Sequence, residues 1–399
     1  MRRLWNIDAL EGKTQADETP EERLATAKAS ESLKFIRSEG RYQVSIPWKE
    51  DRPKLPDNRS ATEKRLRSLE ASLRRRPNVA VQYQDVFEDN VRKGYIKEIL
   101  DENKYTPGWY LPHFGVVKED RETTKVRVVY DGEAVYAGTS LNDQMLPGPK
   151  LQQEILDILI TFRQGAIALM GDIKEMFSQV LLDPVDCRYH RILWQDKTFE
   201  STRLPFGDRA SPFLAQLVIR THAEKHSSEY PLAAEACRRS LNMDDALPSV
   251  DHVPIAKAMR RELTELLGKA GFAIRKWMSN NIEVLKDVPE ESRSPGIVDL
   301  EESDLPCQKP LGVLWNAEKD VIGYKHKAVE VIIVTKRTAL SLVARLFDPL
   351  QLLAPYVIRA KMVLQEAWGL IHEAFLGPSK HLRITRSLLA NYAVFTKHP

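Results

Sequence analysis

The chain has 399 residues, of which 43% are hydrophobic and 29% charged, with a net charge of +3. That length fits two or three compact units, and the composition excludes a disordered chain. So small a net charge confines any nucleic-acid surface to a local patch, and three scattered cysteines (Cys187, Cys237, Cys307) argue for a reducing compartment without a disulfide framework.

Residues 1–95 read as an accessory N-terminal region, with Leu4, Trp5 and Ile7 as anchors of its start. Thr19 as N-cap and Pro20 in the first turn open a helix. "RYQVSIPWK" alternates Tyr42, Val44, Ile46 and Trp48 on one face, which is strand periodicity. "EKRLRSLEASLRRR" places Leu66, Leu69 and Leu73 on one helical stripe. Between Glu63 and Arg76 it carries six basic and two acidic residues. A solvated helix face is the favoured reading of that charge, with nucleic-acid contact as the other.

Residues 96–330 alternate strands and helices, the pattern of a mixed α/β or α+β unit. In "AIALMGDIKEMFSQV", a buried strand ends near Asp172, and Ile173, Met176, Phe177 and Val180 fall at helical spacing, so a helix is expected there. Asp172 is then either a helix cap or a carboxylate fixed for a metal. In "STRLPFGDRASPFLAQLVIRTH", Gly207 permits close backbone approach, Ser211 is the expected N-cap and Pro212 the first helical residue. "SLNMDDALPS" sets Asp244 beside Asp245 in a hairpin. Such a pair is an exposed turn or, if neighbouring cations keep both acids ionised, a metal site. The helix expected from Pro254 carries Ile255, Met259, Leu263 and Leu266 as its apolar stripe and closes at Gly271. "FAIRKW" returns as a strand bearing Lys276. Residues 287–306, with seven acids and three prolines, read as an exposed loop, and 311–324 as a hairpin. Residues 331–399 are mainly helical, Pro349 breaking one helix and Pro355 starting the next.

"DIKEMF", "LPFGDRASPFLAQ", "MDDAL", "AGFAIRKWMSN" and "LGVLW" resemble, in order, the palm motifs of a reverse transcriptase. "YLPHFGVVKED", "KVRVVYDG", "RYQVSIPWK" and "RLFDPLQLLAP" resemble more narrowly the Pol polyprotein of BEL/Pao-type LTR retrotransposons, from about residue 4 to about residue 375. The resemblance implies an α+β right-hand polymerase: fingers and a palm with an antiparallel sheet over 96–330, and a helical thumb or connection over 331–399. It implies RNA-directed DNA synthesis in which Asp172, Asp244 and Asp245 hold two Mg²⁺ (or Mn²⁺) ions. Lys118 and Arg127 would hold the nucleotide triphosphate, Phe177 would pack under its sugar, and Phe206 and Gly207 would contact nucleotide and template. Ser211 would open the supporting helix, and Lys276 is a candidate proton donor to pyrophosphate. Read without the resemblance, Phe177 is a core residue, and Lys118, Arg127 and Lys276 are surface cations. The implied partners are an RNA or DNA template with its primer and deoxynucleoside triphosphates, with other Pol or Gag segments as further candidates and no membrane.

Three positions depart from the family pattern. Asn242 replaces a tyrosine, Pro248 stands in the return strand where it brings no ladder donor, and Asp208-Arg209 follow Phe206-Gly207 where small or neutral residues are expected. They support the alternative of a degenerate or domesticated, catalytically inactive nucleic-acid-binding remnant. No aspartic-protease motif occurs, and the chain is expected to stop before any RNase H or integrase domain. Without a signal peptide or an apolar run of spanning length, the expected location is cytoplasmic, with a retrotransposon particle as the alternative.

Overall fold

The computed structural model describes residues 18–99, 106–117, 126–295, 307–308, 310–323, 340–341, 343 and 348–369. The anchors Leu4, Trp5 and Ile7, the candidate Lys118, and residues 296–306 of the acidic loop lie outside them.

In chain order the elements are α1 (Pro20–Ser32), β1 (Lys34–Ile36), β2 (Arg41–Val44), α2 (Arg59–Arg74), α3 (Pro77–Arg92), β3 (Ile96–Glu98), β4 (His113–Val117) and β5 (Val126–Tyr130). There follow α4 (Ile155–Phe162), β6 (Ile167–Ile173), β7 (Leu181–Leu182), α5 (Pro184–Cys187), β8 (Arg191–Trp194), β9 (Lys197–Ser201), α6 (Ser211–Lys225) and α7 (Pro231–Arg239). The remainder are β10 (Leu241–Asn242), β11 (Asp245–Ala246), β12 (Ser249–Val250), α8 (Val253–Lys269), β13 (Ile274–Ser279), β14 (Cys307–Gln308), β15 (Leu314–Asn316), β16 (Val321–Gly323) and α9 (Ala354–Gly369). This is a mixed α/β chain. No helix among the described residues is long and apolar enough to cross a membrane.

The chain divides into two compact units. The first takes in Met1–Gln152, Ile173–Asp244 and Met259–Ile274. Its α1 opens as the sequence predicts: the Thr19 hydroxyl accepts from the Glu22 N–H at 3.2 Å, and the Glu22 carboxylate accepts from the Thr19 N–H at 2.8 Å. β2 pairs antiparallel with β1 and parallel with β7, so residues read as accessory share a sheet with the chain beyond Asp172. The buried Asp186 carboxylate ties down the continuation of β2, accepting from the Ile46 N–H at 2.7 Å and the Trp48 indole at 2.8 Å. A second sheet has the order β3-β9-β8, and β4 and β5 form a hairpin.

Tyr83, Phe87, His113 and Trp194 form an aromatic core in this unit, Phe87 stacking on Trp194 at 4.8 Å between ring centroids. His113 is held as its neutral tautomer: Nε2–H donates to the Leu193 carbonyl at 2.8 Å, and Nδ1 accepts from the Tyr83 hydroxyl at 2.5 Å. Burial pulls its imidazole down to about 4, the Leu193 carbonyl opposing and the Arg65 charge assisting. The unfolded chain binds that proton more tightly, so acidification favours unfolding. The stabilising contribution is whole above about pH 6.5 and is lost as pH falls towards 4, to the extent of about 3 kcal/mol. Urea titrations between pH 7 and 4 should show this loss, and His113→Gln should flatten it.

The second unit takes in Gln153–Asp172, Asp245–Ala258 and Arg275–Pro399. β6 runs through its centre. It pairs antiparallel with β11 and β12 and also pairs with β13. Trp277, Trp315 and Phe162 are buried, and the Phe162 and Trp315 rings meet edge-on at 4.8 Å. β15 and β16 form the predicted hairpin around "NAEKD", and Pro355 stands in the first turn of α9.

Three local expectations are corrected. No helix begins at Ile173: β6 continues through that residue, Glu175 adopts a left-handed φ of +49°, and only a single 3-10 turn (Met176–Gln179) precedes β7. The reason is tertiary. The Glu175 carboxylate accepts from Lys93 Nζ at 2.7 Å and the Tyr95 hydroxyl at 2.9 Å, while the Gln179 amide donates to the carbonyls of Lys174 and Glu175. Ser211 is not the N-cap of α6 but its first residue; its hydroxyl donates to the Pro205 carbonyl at 2.9 Å. Ile255 is 39% exposed, and Ala256 is buried with Met259, Leu263 and Leu266 in its place. Gly271, at φ +78°, closes α8 as expected.

Candidate functional site

β6 is buried along most of its length, so its backbone is fixed from both edges, and Asp172 stands near its carboxyl end. Ser279 Oγ donates to the Ala168 carbonyl at 2.8 Å and Asn280 Oδ1 accepts from the Ala168 N–H at 2.9 Å. On the other edge, Asp245 lies directly opposite Asp172, and Ala246 opposite Gly171. Pro248 falls between β11 and β12, where its missing N–H costs no ladder pair among the described residues, and its carbonyl accepts from the Leu169 N–H at 2.8 Å.

Two carboxylates facing each other across a ladder repel. Here the charge is offset by cations: Lys276 Nζ lies 3.2 Å and Arg275 Nε 3.4 Å from the two Asp172 oxygens. Consecutive side chains of a regular strand point to opposite faces. Lys276 has φ +55°, and this break in the strand lets neighbouring residues reach one carboxylate. Arg275 was not among the predicted site residues; its only sequence signal was adjacency to Lys276 in "FAIRKW".

Asp244 belongs to the first unit by its contacts. It is exposed, and its carbonyl accepts from the Ile173 N–H at 2.7 Å. The residue before it, Met243, has φ +51°, and its carbonyl accepts from the buried Gln216 amide of α6 at 3.3 Å. Gln216, which positions this turn, lies in the quoted "LPFGDRASPFLAQ" and was not singled out there. Among the described residues no three His, Cys, Asp or Glu side chains gather into a group able to hold a metal.

The first unit also gathers Arg127, Phe177, Phe206 and Gly207. The Arg127 guanidinium lies over the Phe206 ring, 5.4 Å from its centroid, and the Phe177 and Phe206 centroids are 5.8 Å apart. Phe206 is 46% exposed, so the cluster has one open face. Gly207 has φ +136°, and a Cβ there would fall 2.1 Å from the Tyr130 carbonyl oxygen. Gly207→Ala is therefore expected to cost about 2–4 kcal/mol in chemical denaturation, from a backbone clash that no rotamer relieves.

The departures at Asp208 and Arg209 have structural partners. His190 Nε2 and Asp208 Oδ2 are 2.6 Å apart, with both side chains buried. Asn142 spans the turn: its Nδ2 donates to the Gly207 carbonyl at 3.2 Å and its Oδ1 accepts from the Arg209 N–H at 3.0 Å. Asn242 is half-buried at the end of β10.

Residues 335–373 match the family model described as "Pao retrotransposon-like RNaseH-like domain", on the segment that the sequence assigns to a thumb; α9 lies within it. A comparison with curated proteins finds no match. Among solved structures, the chain is similar to the foamy viral protease-reverse transcriptase dRH in complex with double-stranded DNA (17% identity, TM-score 0.48, covering 78% of this chain and 47% of that one). It is also similar to the foamy viral protease-reverse transcriptase in complex with RNA/DNA hybrid (15% identity, TM-score 0.47, covering 80% and 37%). The chain thus spans less than half the length of either. The family match over 335–373 and the ordered sequence motifs thus agree in their likeness to a retroelement Pol segment.

Proposed function

We propose that the chain is an RNA-directed DNA polymerase of right-hand architecture, with the β6 sheet as its palm, and that it extends a primer 3′ end on an RNA or DNA template. The observation that carries this reading is the direct opposition of Asp172 and Asp245 on β6 and β11, with Asp244 at the turn just before. The donor set suits a hard divalent cation, being carboxylate oxygen throughout. Asp172 and Asp245, with Asp244 from the turn, would hold it on drawing together, since they form no three-carboxylate group in the present arrangement. Magnesium or manganese, when bound, supplies a lowered pKa at the primer hydroxyl and neutralises charge on the transferring phosphate.

The chain's own groups do the remaining work in this reading. Arg275 and Lys276 balance the Asp172 carboxylate in the present arrangement, and Lys276 is the proposed proton donor to the leaving pyrophosphate. Arg127, with Lys118, would hold the triphosphate of the incoming deoxynucleotide. A guanidinium already stacked on Phe206 is oriented for bidentate contact with phosphate oxygens. Phe177, against Phe206, would pack beneath the sugar.

Primer extension by the purified chain on an RNA template with Mg²⁺ tests the reading, with Asp244→Asn beside it. Extension by the wild type and its loss in the variant are expected. A folded wild-type chain that binds primer–template yet never extends it would overturn the polymerase assignment.

A further inference from the structure

Helix α2 segregates its charges. At 3.6 residues per turn, Lys64, Arg67 and Arg74, continued by the C-cap residue Arg75, fall on one face together with Ser60, Ser68 and Ala71, opposite the stripe of Thr62, Leu66 and Leu73 that the helix buries. The two acids of this stretch, Glu63 and Glu70, lie to the side of that face. Flanking cations are paired: Arg59 with Glu63 at 3.0 Å, and Arg65 with Asp131 at 2.7 Å. The four outward cations are all exposed, and none forms an ion pair among the described residues. Elsewhere on this unit surface cations are interleaved with acids, as in Lys93 with Glu175, Lys197 with Glu98 and Lys269 with Glu229. With a net charge of only +3 for the whole chain, a face of four cations without an acid is a local segregation.

We infer that this face of α2 binds the phosphate backbone of a nucleic-acid duplex. The cations follow one another along about 16 Å of a rigid helix, at the 1.5 Å rise per residue. A double helix offers a negative charge about every 1.7 Å of its axis, so a straight row of ammonium and guanidinium groups meets several phosphates at once. Contacts of this kind hold and orient a duplex without reading its sequence. The surface is built from other residues than the carboxylate site and does not rest on the polymerase reading. A chain without turnover would keep it.

The test compares the full wild-type chain with Lys64→Gln/Arg67→Gln/Arg74→Gln/Arg75→Gln. The probe is a fluorescent RNA/DNA hybrid duplex, titrated by anisotropy at salt concentrations from 50 to 200 mM. Four lost phosphate contacts should make the slope of log K against log salt shallower by about 3–4, since each contributes about 0.9. Affinity at the lowest salt should fall at least about tenfold, alike on duplexes of different sequence. Arg67→Lys/Arg74→Lys/Arg75→Lys should keep the slope, because the charges remain. Extension at saturating primer–template should be unchanged in the glutamine variant, which separates failure here from failure of the polymerase reading. An unchanged slope in a folded glutamine variant overturns the inference. So does loss of binding to phosphatidylserine vesicles with duplex binding intact, which would assign the face to a membrane. Should the fourfold variant unfold, Arg74→Gln/Arg75→Gln at the helix end decides, with an expected change in slope of about 1.8.

Discussion

Asp208→Ala is expected to destabilise the fold by about 3–5 kcal/mol, the range for removing one partner of a buried ion pair. The geometry dictates the charge state. His190 Nδ1 lies 3.0 Å from the Asp186 carbonyl, which can only accept, so that nitrogen carries a proton. Nε2, 2.6 Å from the Asp208 carboxylate, carries the second. Burial alone would lower the imidazole, but the Asp208 charge and hydrogen bond outweigh it, with help from Asp186, and hold it above its ordinary value. The folded state thus binds this proton more tightly than the unfolded chain. The contribution is complete below the unfolded value near 6.5 and is lost as pH rises through the elevated folded value. Guanidinium unfolding across this range should show the alkaline loss in the wild type and none in Asp208→Asn. His190→Leu/Asp208→Leu should recover much of the stability lost in Asp208→Ala, because no lone charge is then left buried. A residue that departs from the family motif would then prove to be a structural element of the turn carrying Phe206 and Gly207, not a mark of decay.

Asp172→Asn should lower primer extension at least about 100-fold. If Asp172 is a metal ligand, as proposed, its loss forfeits several kcal/mol of stabilisation of developing charge, and each 1.36 kcal/mol is a factor of ten. Stability should barely change. The two cations that Asp172 engages are each 39% exposed, so water replaces the carboxylate, and exposed pairs contribute about 0–1 kcal/mol. The substitution also relieves repulsion with Asp245 across the ladder. Single-turnover extension, run beside a denaturation curve and a primer–template binding curve, checks the expectation. A fall in rate that merely tracks a fall in stability would remove Asp172 from the chemistry.

Much of the chain was legible from local pattern. The capped start at Thr19, the strand that carries Asp172, the Asp244-Asp245 turn, the closing Gly271 and the 311–324 hairpin all depend on residues close in sequence. Capping, periodicity and left-handed glycine are short-range properties, so a linear reading can find them. Pro248, expected in the return strand as a departure, instead lies between β11 and β12, where a residue without an N–H is tolerated.

What the tertiary structure alone decided involves partners far apart in the chain. Helical spacing after Asp172 was real, yet Lys93 and Tyr95 take the Glu175 carboxylate and leave a single 3-10 turn. Asp208 looked anomalous until His190 and Asn142 were placed around it. Arg275 joined the candidate site through one left-handed residue in β13, which no propensity foretells. The sequence by itself determined most of the segments that become strands or helices, the stretch after Asp172 excepted, and where the acids stand on them. Which cations meet those acids, and which turns are held, depended on pairing between residues up to about a hundred positions apart, a contact energy that no local window contains.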